Sequence, residues 1–146
     1  MPPESHIFAV AHVIQLAVAP VFLLSGVGTF LSVLLGRLNR IVDRARTVEG
    51  FLVAASEPQK NGHRKELHSL SRRARLTHWA ITLTTICGLF VCIVIVTLFT
   101  GQYLRADLSP AILLCFIIAM IAIVTAFFFF LREIQLGTAS LRFGPR

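Results

Sequence analysis

Long apolar runs, rather than alternating or scattered hydrophobic positions, set the pattern of the chain. Residues 7–36 are interrupted only by His12, Gln15 and small or hydroxyl-bearing residues, and residues 79–99 and 111–131 form two more such runs. Each is long enough to span a bilayer, whose core is about 30 Å thick and needs about 20 apolar residues in helical form. The first run would extend roughly 45 Å as a straight helix, so it needs either a steep tilt or a kink at Pro20 that tips residues 7–19 along the interface. Ser109 and Pro110 read as the cap and first position of the third helix. Trp79 and Tyr103 stand at the ends of the second run, where interfacial aromatics belong.

Between the first two runs the periodicity changes. Leu38, Ile41, Val42, Ala45, Val48 and Leu52 recur at three-and-four spacing, as on an amphipathic helix continuing out of the membrane. Glu57, Pro58, Gln59, Lys60, Asn61 and Gly62 read as a turn, after which Leu67, Leu70 and Ala74 resume helical spacing. The expected architecture is all-α: a polytopic membrane protein, one membrane domain over residues 1–146, with three transmembrane helices. A cytoplasmic antiparallel helical hairpin over residues 37–75 joins helices 1 and 2.

Composition agrees with that class. The chain is 55% hydrophobic and 14% charged, with a mean hydropathy of +0.77, against about 25% charged in soluble domains. The net charge of +7 is confined mainly to one stretch, which argues against an extended nucleic-acid-binding face. Ten of the 14 Lys and Arg residues lie in residues 37–75 and three in the tail, whereas the second connection holds only Arg105 and residues 1–6 hold none. Three spans put both basic segments on one side, so the expected topology in a bacterial inner membrane has the N-terminus outside and the C-terminus in the cytoplasm. The absence of a basic residue before the first run argues against a cleaved signal peptide.

Arg37, Arg40, Arg44 and Arg46 crowd the exit of the first run, and the first three share a helix face. Such a collar can bind anionic lipid head groups, set the charge at a pore mouth, or serve only as an orientation signal. On the second run His78, Thr82 and Thr85, with Cys92, form a mildly polar stripe that can line water in an oligomer; threonines bonded to their own backbone are the plainer alternative. Gly28, Ser32 and Gly36 on the first helix, and Ala111, Cys115, Ala119, Ala122 and Ala126 on the third, form small-residue seams that let helices approach closely. They point to self-association.

Little supports covalent chemistry. Cys87 and Cys92 are five residues apart, about 140° around a helix, and do not make a ligand pair. His12, Cys92 and Cys115 share a depth at which a soft metal site or a disulfide could form, although lone membrane cysteines usually act as small apolar residues. His12 and His78 lie at opposite membrane faces and cannot hold one haem. Neither a phosphate-binding glycine loop nor a nucleophile beside a base is present, so the chain is expected to be no enzyme and to carry no cofactor or catalytic metal.

The run Asn39-Arg40-Ile41-Val42-Asp43-Arg44-Ala45-Arg46, after a first span with an early proline, and the ending Leu131-Arg132-Glu133-Ile134 of the third span resemble a family of small bacterial inner-membrane proteins, domain of unknown function 2721. The resemblance extends from about His12 to Leu136. It implies three spans, a cytoplasmic helical connection and no established activity, and it matches Asn39, Arg40, Asp43, Arg44 and Glu133 to recurrent family positions. Glu133 lies at the same membrane boundary as the collar, which predicts an ion pair with Arg40 or Arg44 and makes Asn39 and Asp43 further polar partners. The expected function is a homo-oligomeric pore or channel-like assembly. The alternative is a scaffold whose hairpin docks a cytoplasmic protein and whose arginines hold anionic lipid.

Overall fold

The computed structural model describes residues 3–54, 56–104 and 107–139. They form three helices: α1 (Pro3–Ala54), α2 (Glu57–Leu104) and α3 (Ser109–Ala139). Each contains one of the three apolar runs, and each is long and apolar enough to cross a membrane. The chain is an all-α, multi-pass membrane protein.

α1 passes without interruption from its apolar run into the basic run, with Pro20 inside the helix. Proline and glycine are more frequent in membrane helices than in soluble ones because neighbouring groups re-satisfy the freed backbone. α2 starts earlier than its composition suggests. Glu57 to Gly62 are helical, not a turn, because Ser56 stands at the cap and its carbonyl accepts bonds from the amides of Gln59 and Lys60, each at 3.0 Å. Pro58 falls within the first turn, where a missing N–H costs nothing.

The start of α3 also differs from expectation. Ser109 is already helical, the carbonyl of Leu108 accepts the first helical bond from the Ile112 amide, and the carboxylate of Asp107 accepts the Ser109 amide at 3.1 Å. Hydrogen bonds from the Ser109 side chain and backbone hold the Asp107 carboxyl below the usual carboxylate range. Its charge also faces the positive end of the α3 dipole.

Two compact units follow from the contacts, each containing a piece of all three helices. The first comprises residues up to Leu31 with Leu83–Val124. Its core joins Val27 of α1, Cys87 and Val91 of α2, and Ala119, Ala122 and Ile123 of α3, with Leu23, Leu24, Phe30, Phe90 and Ile95 packed around them. Gly88 lets α1 close in, since a Cβ there would already touch Val27 Cγ1 at 3.5 Å and Leu24 Cδ1 at 3.7 Å. Large apolar side chains point outward: Phe22, Val96, Leu113 and Ile121 are all exposed, as a surface bathed in lipid requires.

The second unit comprises Ser32–Thr82 with the residues from Thr125. Ile41 and Val48 of α1 and Leu70 of α2 form its buried cluster, flanked by Ala45, Leu67 and Ala74. These are the residues whose periodicity marks an amphipathic face. Phe51 stacks on His63 at 6.3 Å, and Arg44 bonds Glu66.

Candidate functional site

The second unit concentrates the charge. At its centre is Glu133, the sole acidic residue of α3, and the structure leaves its side chain 1% exposed. A lone carboxylate in that position would carry a desolvation penalty of several kcal/mol. Two guanidiniums offset it: Arg73 of α2 donates from Nε at 3.1 Å and Nη2 at 2.8 Å to Oε1, and Nη2 of Arg37 of α1 lies 2.9 Å from Oε2. The Arg37 contact is ionic and lacks the alignment of a hydrogen bond. One carboxylate thus ties together all three helices.

Local sequence makes room for this clamp. Gly137 lies one helical turn after Glu133, and a Cβ there would approach Arg73 Nη2 to 2.9 Å. A Cβ there would push the guanidinium aside, so glycine leaves it its place over α3. Arg37 also caps the Phe130 ring at 5.1 Å from its centroid, within cation–π range. Phe130 is therefore half-buried, whereas Phe127 and Phe128 face outward as lipid-facing bulk would.

The partners of Glu133 differ from the expected ones. Arg40 and Arg44 are replaced by Arg37 and Arg73, because Arg44 lies two turns beyond Arg37 along α1, about 10 Å at 1.5 Å per residue, and is held by Glu66 at 2.7 Å. Arg40 is exposed and makes no ion pair with a described residue. Asn39, Asp43 and Arg46 are exposed as well; the backbone carbonyl of Asp43 accepts the Thr47 hydroxyl, and its carboxylate makes no ion pair among the described residues. Arg37, Arg40, Arg44, Arg73 and Glu133, with Ile41 and Leu70, line a cavity of about 380 Å³.

The remaining candidates divide between inner and outer positions. Ala119, Ala122 and Ala126 are buried, the first two within the core of the first unit. Gly28, Ser32 and Gly36 are exposed, and a Cβ on either glycine would meet nothing within 4 Å. Of the polar stripe, His78 and Thr85 are exposed, and the Thr82 hydroxyl donates to the His78 carbonyl. Back-bonding recurs at Thr29, Thr77 and Thr97. Thr77 and Thr84, outside the stripe, are the buried hydroxyls of α2.

All three cysteines are free thiols: Cys87 is buried, Cys115 half-buried and Cys92 exposed. His12 is exposed, and among the described residues no three His, Cys, Asp or Glu side chains gather into a metal-binding group. The structure does not bring His12, Cys92 and Cys115 together.

A family model, described as a protein of unknown function (DUF2721), matches residues 17–143. Comparison with curated proteins and with solved structures finds no match. The matched segment takes in Arg37, Arg73, Glu133 and Gly137.

Proposed function

The chain belongs to the DUF2721 family, and we propose that it is a bacterial inner-membrane protein that works without covalent chemistry, as a homo-oligomeric, channel-like assembly. Its N-terminus is outside, and its C-terminus and the helical hairpin of residues 37–75 are cytoplasmic; the distribution of arginine and lysine supports that orientation. One observation carries the self-association. Ala119, Ala122 and Ala126 of α3 are buried in packing within the chain, whereas Gly28, Ser32 and Gly36 are exposed on α1 and a Cβ on either glycine would meet nothing within 4 Å. Lipid gives helices no hydrophobic reason to associate, so small residues that admit a neighbouring backbone are the usual means.

In the channel-like form His78, Thr82 and Thr85 face the axis, which the exposure of His78 and Thr85 permits. Arg37, Arg40 and Arg44 stand at the cytoplasmic mouth and favour anions. Native mass spectrometry of the nanodisc-extracted protein tests the reading with Gly28→Leu and Gly36→Leu variants. A uniform particle of four or more copies in the wild type, shifted to smaller species in the variants, is expected; a wild-type monomer contradicts it.

A second reading, a scaffold that docks a cytoplasmic protein, is favoured by an adjoining groove of about 570 Å³. Ile41, Val42, Ala45, Leu67, Leu70 and Ala74 line its apolar part. An amphipathic helix of another protein would lay its apolar face there. Loss of a co-purifying protein on Ala45→Glu, with subunit number unchanged, would favour the scaffold.

A further inference from the structure

The cavity beside Glu133 is cationic in excess of what its own carboxylates neutralise. Four arginines line it, Arg37, Arg40, Arg44 and Arg73, against Glu133 within it and Glu66 on the far side of Arg44. Arg37 and Arg73 are oriented by the buried Glu133, and the exposed Arg44 is paired with Glu66, so three guanidiniums have carboxylate partners before any ligand arrives. Arg40 has no such anchor among the described residues and is exposed. A volume of about 380 Å³ lies in the range of small-ligand sites. The Nε–Nη2 edges of Arg73 and Arg44 are taken by Glu133 and Glu66, so a phosphate would meet their remaining Nη donors, Arg37, and the guanidinium of Arg40, which supplies the charge that the internal carboxylates leave over.

We infer that this cavity is a binding site for a phosphate group, with Arg40 as its principal free ligand and Arg37, Arg44 and Arg73 as a pre-oriented wall. The inference rests on the reading that the basic run meets anionic groups at the membrane boundary, and it changes the residues involved: Arg73 of α2 belongs to the site, and Arg46 lies on the neighbouring apolar groove. Glu133 plays a positioning part. It holds two arginines in place while its own charge, shared between them, repels an incoming anion less than a free carboxylate would.

Two sources share this chemistry: the head group of an anionic phospholipid and free inorganic phosphate. Full-length protein in detergent, stripped of co-purified lipid, is titrated with phosphatidylglycerol or chain-matched phosphatidylcholine and weighed by native mass spectrometry. A parallel calorimetric titration uses inorganic phosphate. The variants are Arg40→Ala, Arg40→Lys and, as a charge-matched control outside the cavity, Arg75→Ala.

The expected result is preferential retention of phosphatidylglycerol, weakened about tenfold or more by Arg40→Ala. Arg40→Lys should weaken it less, and Arg75→Ala should leave it unchanged. Phosphate binding with the same dependence on Arg40, without lipid selectivity, would support the site and assign it to the free anion. Equal loss in the Arg40→Ala and Arg75→Ala proteins, or no binding of either probe, would overturn it. Subunit number is read from the same spectra, so a failure of self-association is distinguishable from a failure of this site.

Discussion

Glu133 shows how unequal the members of one ion cluster are. Removing its charge with Glu133→Gln leaves two arginines that still reach water, with side chains 33% and 22% exposed. Arg73→Ala instead strands a carboxylate that is 1% exposed with only an ionic contact to Arg37. Breaking a buried pair from that side typically costs about 3–5 kcal/mol, so Arg73→Ala is expected to lower stability in detergent by about 3 kcal/mol and Glu133→Gln by about 1 kcal/mol. Denaturant titration checks the order, and the reverse order would contradict the clamp. Partial rescue of Glu133→Arg by Arg73→Glu, but not by Arg40→Glu, is the matching charge-swap outcome. Asp107 offers a second test: its lowered pKa means that its contribution is in place above the ordinary carboxylate value, about 3.9, and fades as pH falls through its folded pKa below that. Carboxyl carbon-13 titration should place its midpoint below about 3.9; a midpoint at or above it would contradict the hydrogen bonding from Ser109. Glu133 stood out in the sequence because it matches a recurrent position of the family the chain resembles and lies at the same membrane boundary as the arginine collar. Its partner Arg73 did not, since Arg72, Arg73 and Arg75 crowd one helical turn and only packing selects among them.

Helices, spans and the amphipathic face at Ile41, Val48 and Leu70 were readable because burial repeats with the helical period. The segment from Glu57 to Gly62 was not, because its Pro, Asn and Gly suit a turn and the first turn of a capped helix equally well. The two small-residue seams looked alike as sequence, yet the structure separates them. Gly88→Leu should overpack α2 against Val27 and Leu24 and destabilise the chain by about 1–3 kcal/mol. Gly28→Leu meets open space and should leave the stability of a single copy within about 0.5 kcal/mol while reducing association. Thermal unfolding beside subunit counting separates the two effects. Destabilisation by Gly28→Leu with no change in copy number would place that seam against the chain itself.

At the scale of the molecule, apolar helices and outward-facing hydrophobic side chains fit a protein embedded in lipid, and the gathering of basic residues between the first two apolar runs and in the tail supports the proposed threading with arginines inward. A single cysteine placed at Lys60 in a cysteine-free background should resist a membrane-impermeant maleimide added to intact cells, and one at Gln102 should react; the opposite pattern would invert the topology. Self-association is the claim on which the channel-like reading depends, because three helices of one copy are too few to enclose an aqueous path. The decisive measurement is therefore the mass and symmetry of the wild-type particle extracted in nanodiscs, by native mass spectrometry with imaging. A closed ring of four or more copies is expected. A homogeneous monomer would contradict it.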